Sequence, residues 1–211
     1  MRLVLGLALA SALSLAACTG PQNAPPNSAP PASSYAPAAS MLPMQFQCPA
    51  NGTNTQVQDF AQIVTVNYYG TAGDPTLCQF ARSGVTASSY YGQYPPGVSS
   101  GLGQLRAGFA ALFAGTQTTF SGDYTVDFLG GRQAFFNDTW TVLGVDTLNI
   151  AGTPVRTLVF QREQRGRVGN GFDGIERQWF DPASGVWVKR QVINTNGWSW
   201  GPDWFVTSIS Q

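Results

Sequence analysis

The run IERQWFDPASGVWVKRQVI, residues 175–193, decides the fold. Ile175 to Phe180 and Val186 to Ile193 carry the β-branched and aromatic residues of strands. Between them, Asp181-Pro182-Ala183-Ser184-Gly185 has the residues that open and close a tight turn. Two short strands joined this way form an antiparallel hairpin.

The same pattern extends outward in both directions. Tyr124, Val126 and Phe128 alternate with Thr125 and Asp127. Trp140 to Asp146, Val155 to Arg162 and Trp204 to Ile209 also read as strands. Gly130-Gly131, Ala151-Gly152-Thr153-Pro154, Gly166 to Gly174 and Asn196-Gly197 separate them. Further upstream, Ile63 to Tyr69 and Thr76 to Phe80 make two more. One segment has a different period. Leu102, Leu105, Phe109, Leu112 and Phe113 fall on one helical face, with Ser99-Ser100 as the expected cap and Gly115 as the stop. Gly103 and Gly108 weaken that helix. The predicted fold is mainly β: an antiparallel curved sheet or half-barrel packed on one amphipathic helix.

The N-terminus has a separate logic. Met1 and Arg2 precede an apolar run of small residues that is shorter than the roughly 20 residues a membrane span needs. It ends Leu15-Ala16-Ala17-Cys18, which resembles the lipobox of bacterial lipoproteins. The resemblance implies cleavage before Cys18, lipidation of that cysteine and attachment to a membrane through its acyl chains. Two or more such chains hold stably where one does not. Thr19, not Asp, follows, which by the enterobacterial sorting rule implies the outer membrane, facing the periplasm. The alternative is a plain secretory signal with a chance cysteine.

The expected organisation is a signal peptide over 1–17, a lipidated Pro/Ala/Ser-rich tether over 18–45, and one β-rich domain over 46–211. Thr19 to Gln45 holds seven prolines and no charge, too little apolar surface to fold by itself. Of three cysteines, lipidation of Cys18 leaves Cys48 and Cys78 for a disulfide in an oxidising compartment, the alternative being two unrelated buried thiols.

A second resemblance rests on Trp140-x-Val142-x-Gly144, Ala151-Gly152-Thr153-Pro154-Val155, and Trp179-Phe180-Asp181-Pro182 through Gly185 to Val188-Lys189. These stretches resemble a group of uncharacterised bacterial envelope proteins, similar in outline to the LolA/LolB-type half-barrel. The turn reads Ala-Gly-Thr-Pro-Val where that group has a Pro-Ala-Gly-x-Phe-like sequence. The resemblance implies a sheet wrapped around a helix, with a concave face able to hold an apolar ligand.

The chemistry is sparse. The chain has no histidine and a single lysine, Lys189, which removes Ser-His-Asp, Cys-His and His-metal arrangements. Eleven basic and eleven acidic side chains balance, so no global charge points to nucleic acid. Gly166 to Gly174 lacks the Lys-Ser/Thr of a phosphate loop. No cofactor or metal is expected, and the domain reads as a non-catalytic binding or scaffolding module. Trp198, Trp200 and Trp204, with Arg177, Lys189 and Arg190, form the candidate ligand surface. Those tryptophans suit a packed core, a cell-wall glycan or an apolar partner. Six basic residues on adjoining strands, Arg162, Arg165, Arg167, Arg177, Lys189 and Arg190, suit an anionic lipid or glycan, or else a solvated face with cross-strand pairs. Glu163 and Glu176, on neighbouring strands, are the best carboxylate pair for a hydrolase.

Overall fold

The computed structural model describes residues 34–128, 131–167, 173–196 and 202–211. The signal peptide, Cys18 and the first part of the tether lie outside them, as do Trp198, Trp200 and the tip of the glycine-rich turn. Among the described residues, eleven strands form one antiparallel sheet. They are β1 (Asn54–Asp59), β2 (Gln62–Thr71), β3 (Leu77–Arg82), β4 (Val85–Tyr90) and β5 (Val98–Ser100), followed by α1 (Leu102–Phe113). Then come β6 (Thr119–Phe128), β7 (Arg132–Ile150), β8 (Thr153–Arg167), β9 (Asp173–Asp181), β10 (Val186–Thr195) and β11 (Trp204–Ser210).

The spatial order is β4-β3-β2-β1-β11-β10-β9-β8-β7-β6-β5. It is two meanders joined where β1 pairs with β11. The edge strands β4 and β5 are consecutive in sequence but stand at opposite ends of the sheet. A flat sheet of this size would be about 48 Å wide, from a strand spacing of about 4.8 Å. The chain from Tyr90 to Val98 reaches at most about 29 Å. The connection alone therefore forces the sheet to curl. It does not close into a barrel, and this half-barrel on one helix is the outline the sequence implied.

The helix fills part of the concavity. Leu105, Phe109, Leu112 and Phe113 are buried against Phe120, Trp140, Phe160 and Phe180. Phe109 is the hub, with ring centroids 4.5 Å from Tyr91 and 5.1 Å from Trp140. Gly108, expected to weaken the helix, is what lets it dock: a Cβ there would lie 2.3 Å from the Phe120 ring. Ser99 and Ser100 do not cap the helix. They belong to β5, where Ser100 Oγ donates to Thr125 Oγ1, and Gly101 takes the cap position.

The tether boundary at residue 45 is corrected. From Ser34 the chain lies on the domain as a strap. Ala36 exchanges both backbone hydrogen bonds with Val145, and Met44 N–H donates to Phe113 O at 2.8 Å. Met41, Leu42, Met44 and Phe46 pack on the core around the helix. Phe46 stacks on Phe180 with centroids 5.6 Å apart. The strap passes so close that a Cβ on Gly144 would meet Ala36 O at 2.4 Å, and one on Gly185 would meet Gln47 O at 2.5 Å. The proline content hid five apolar side chains at Tyr35, Met41, Leu42, Met44 and Phe46, enough to hold the segment down.

The strap ends at the disulfide between Cys48 and Cys78 of β3, with Cα atoms 5.2 Å apart. Closing a 30-residue loop lowers the entropy of the unfolded chain by an amount worth about 3.5 kcal/mol. A chain starting at Gln45 keeps Phe46 and the disulfide but loses the contacts of Tyr35 to Met44. Each half-buried side chain contributes on the order of 1 kcal/mol. Thermal unfolding should therefore fall by about 8–16 °C relative to a chain starting at Ser34. Equal melting temperatures would mean that the strap does not stabilise the fold.

Candidate ligand pocket on the concave face

Alternation along paired strands determines which side chains look into the concavity. On β7, Phe136, Asp138 and Trp140 share one face. Their partners on β8 are Gly166, Gln164 and Arg162. Arg162 in turn faces Glu176 on β9, and Gln178 faces Arg190 on β10. Arg190 faces Trp204 on β11. A row of polar side chains thus crosses the inner surface beside the aromatic core.

The row is a continuous chain of hydrogen bonds and ion pairs. Asp138 is fully buried. Arg162 donates from Nε to Asp138 Oδ2 at 2.8 Å and brings Nη2 to 2.7 Å from the same oxygen. Tyr94 O–H donates to Asp138 Oδ2 at 2.8 Å and accepts from Trp140 Nε1 at 2.7 Å. Tyr124 O–H donates to Asp138 Oδ1 and accepts from Arg162 and Gln164. On the far side, Arg162 Nη1 reaches Glu176 Oε1 at 3.3 Å. Gln178 donates to the same Glu176 oxygen at 2.6 Å, and Arg190 Nε lies 2.7 Å from Oε2. Gln93 anchors Gln178 at 2.6 Å.

Burial and charge act together here. Burial raises the pKa of Tyr94 well above its ordinary value, and the Asp138 carboxylate adds to it. Tyr124 is raised too, chiefly by burial, against the opposing pull of Arg162. Burial alone would weaken the charge on Arg162. The Asp138 carboxylate, with Tyr124, Tyr94 and Glu176, more than offsets it and holds the pKa well above the usual arginine value. The guanidinium also lies over the Tyr94 and Trp140 rings, at 5.3 and 5.4 Å.

Beyond this row the concavity is open. A cavity of about 320 Å³ has Arg162, Glu176 and Arg190 on its polar side and Val57, Val66 and Phe80 of the first meander on its apolar side. Phe46 of the strap and Trp204 also line it. Its size falls in the small-ligand range of about 300–1,000 Å³, and so does its mix of apolar wall and a few convergent polar groups.

The expected ligand surface is divided. Arg190 and Trp204 meet at the pocket. Arg177 and Lys189 point to the opposite face, where Lys189 Nζ sits 4.3 Å over the Trp179 ring and Arg177 packs over Tyr35. Successive residues on a strand face opposite ways, so six basic side chains near one another in sequence cannot share a surface. The solvated-face alternative fails for Arg162, which is 8% exposed. Glu163 and Glu176 do not form a carboxylate pair. Glu163 stands opposite Ile175 and so points away from the concave side, whereas Glu176 lines the pocket.

Sequence reasoning missed Asp138, Gln178 and the apolar wall of β1 to β3. Asp138 had a signal: it takes the parity of Phe136 and Trp140, which places a carboxylate among inward-facing aromatics. Gln93, in the link between β4 and β5, had none.

No family model matches the chain, and no curated protein matches it. Among solved structures the chain is similar to the hypothetical lipoprotein YmcC from Escherichia coli K12. The likeness has 14% identity and a TM-score of 0.48, over 77% of this chain and 86% of that one.

The raised tyrosines predict alkaline behaviour. Unfolded tyrosines lose their protons near pH 10. The folded chain keeps those of Tyr94 and Tyr124 above that pH, so stability is intact below about pH 10 and falls as pH rises further. In a spectroscopic titration, part of the tyrosinate absorbance of the seven tyrosines should emerge only with unfolding, as followed by circular dichroism. Full titration near pH 10 with the fold intact would contradict the geometry.

Proposed function

We propose that this chain is a lipid-anchored lipoprotein of the bacterial cell envelope, outer-membrane bound and facing the periplasm. Its β domain binds a ligand in the concave pocket without catalysis. The observation that carries the binding role is the cavity. The helix and strap pack one half of the concave face to aromatic density, while the other half stays open beside a preformed polar row. Interiors are otherwise close-packed, and an open concavity with an apolar wall and a few convergent polar groups has the make-up of a small-ligand site. The apolar wall favours a ligand with substantial apolar surface.

The anchor rests on Leu15-Ala16-Ala17-Cys18. With the strap docked from Ser34, residues 18–33 remain as spacer. At about 3.1 Å per residue, they allow at most about 50 Å between membrane and domain. Cys48 and Cys78, joined as a disulfide, suit an oxidising compartment. A glycan reading is the second one, favoured by Trp204 and Arg190 meeting at the pocket.

Mass spectrometry of the chain made with its own leader separates the two parts of the proposal. Under denaturing conditions the mature chain should begin at Cys18 and retain covalent acyl mass. Under native conditions it should carry a further, non-covalent species, which Val66→Phe removes by filling the cavity. A mature chain without acyl mass would end the anchor reading. A native spectrum without a bound species, unchanged when envelope lipid extract is added, would end the ligand reading.

A further inference from the structure

Three guanidinium groups, those of Arg82, Arg162 and Arg190, line the concave pocket against one carboxylate, Glu176. The other two carboxylates that balance them do not line it. Asp59 pairs with Arg82, and Asp138 pairs with Arg162. The charges cancel in sum, but the wall facing the cavity is richer in cations. The Asp138 side chain is fully buried and that of Arg162 is 9% exposed, so solvent screens this field little.

Arg190 is the residue placed to use that field. Its Nε lies 2.7 Å from Glu176 Oε2 in an ion pair, and its side chain is 13% exposed. The planar guanidinium fork suits bidentate recognition of oxyanions. Trp204 stands opposite Arg190 on the next strand. Val57, Val66 and Phe80 form the apolar wall.

We infer that the pocket takes a medium-length alkyl or acyl chain ending in an anionic oxygen group, a carboxylate or a phosphate. The head meets Arg190, and the chain lies against Val57, Val66 and Phe80. The inference rests on the ligand reading above and adds the chemistry of the head. A wholly apolar ligand would strip water from the guanidinium groups without replacing its hydrogen bonds, which is costly. A cationic head would face three like charges. An anionic oxygen replaces the lost water with charge-assisted hydrogen bonds. The cavity of about 320 Å³ lies at the lower end of the small-ligand range of about 300–1,000 Å³. That suits a single alkyl chain with its head rather than a whole phospholipid.

The test uses the full chain carrying Cys18→Ser, so that it brings no lipid of its own. Calorimetric titration compares decanoate, decyl phosphate, decanol and decyltrimethylammonium, each below its micelle concentration. At least one of the two anions should bind about tenfold or more tighter than decanol, with the difference shrinking as salt is raised. Preference for decanoate points to a fatty-acid-like source, and preference for the phosphate points to a phospholipid-like one. Arg190→Gln should erase the preference and leave decanol binding in place. If that variant does not fold, the wild-type preference and its salt dependence still decide. Equal binding of anions and decanol, or tighter binding of the ammonium, overturns the anionic head and leaves the pocket as a ligand site. Binding of none of the four overturns the ligand reading and this inference with it.

Discussion

The ion pair between Asp138 and Arg162 is the constraint around which the concave face is arranged. The Asp138 side chain is fully buried and that of Arg162 is 9% exposed. An unpaired charge at that depth costs several kcal/mol, so every neighbour is recruited to satisfy it. Tyr94 and Tyr124 donate to the carboxylate, and Trp140 and Gln164 fix those tyrosines in turn. Glu176 takes the outer side of the guanidinium and ties it to Gln178 and Arg190. The aromatic core lies on one side of this chain and the open pocket on the other. The pair marks the line where filling stops.

That line follows from a mismatch in size. Eleven curled strands enclose more space than one twelve-residue helix can fill. The strap contributes Phe46, Met44, Leu42 and Met41 to the helix side. The first meander, β1 to β4, brings its apolar side chains to the far side without a second helix to meet them. The disulfide binds the end of the strap to that meander, so the segment that plugs the core also fixes one wall of the pocket. Stability and site are built from the same contacts.

The fold class was legible because period-two runs and turn residues are local signals. The hairpin of residues 175–193 is found as β9 and β10, and the helix lies where its apolar face predicted. Three strands escaped. β5 takes the serines expected to cap the helix, and β1 (Asn-Thr-Gln-Val-Gln-Asp) and β4 (Val-Thr-Ala-Ser-Ser-Tyr) are polar and carry few of the large apolar residues that mark a strand. Pairing with neighbours makes them strands. The strap escaped because composition averaged its apolar residues against seven prolines. Parts of the site were hidden by bulges. Between Trp187 and Lys189 the register of β10 shifts by one residue, so Trp187 and Arg190, three apart, both face inward. Strict alternation would put them on opposite faces. Gln93 and the apolar wall reach the site through long-range topology, which no local pattern encodes.

A double-mutant cycle on Asp138 and Arg162, read by denaturant unfolding, tests this account most directly. Asp138→Leu alone and Arg162→Met alone should each destabilise by about 3–5 kcal/mol, because each leaves its partner buried and unpaired. The double variant should be less destabilised than their sum by at least about 2 kcal/mol, since it buries no orphan charge. Single effects that are small, or that add to within about 0.5 kcal/mol, would show that the pair does not organise the concave face.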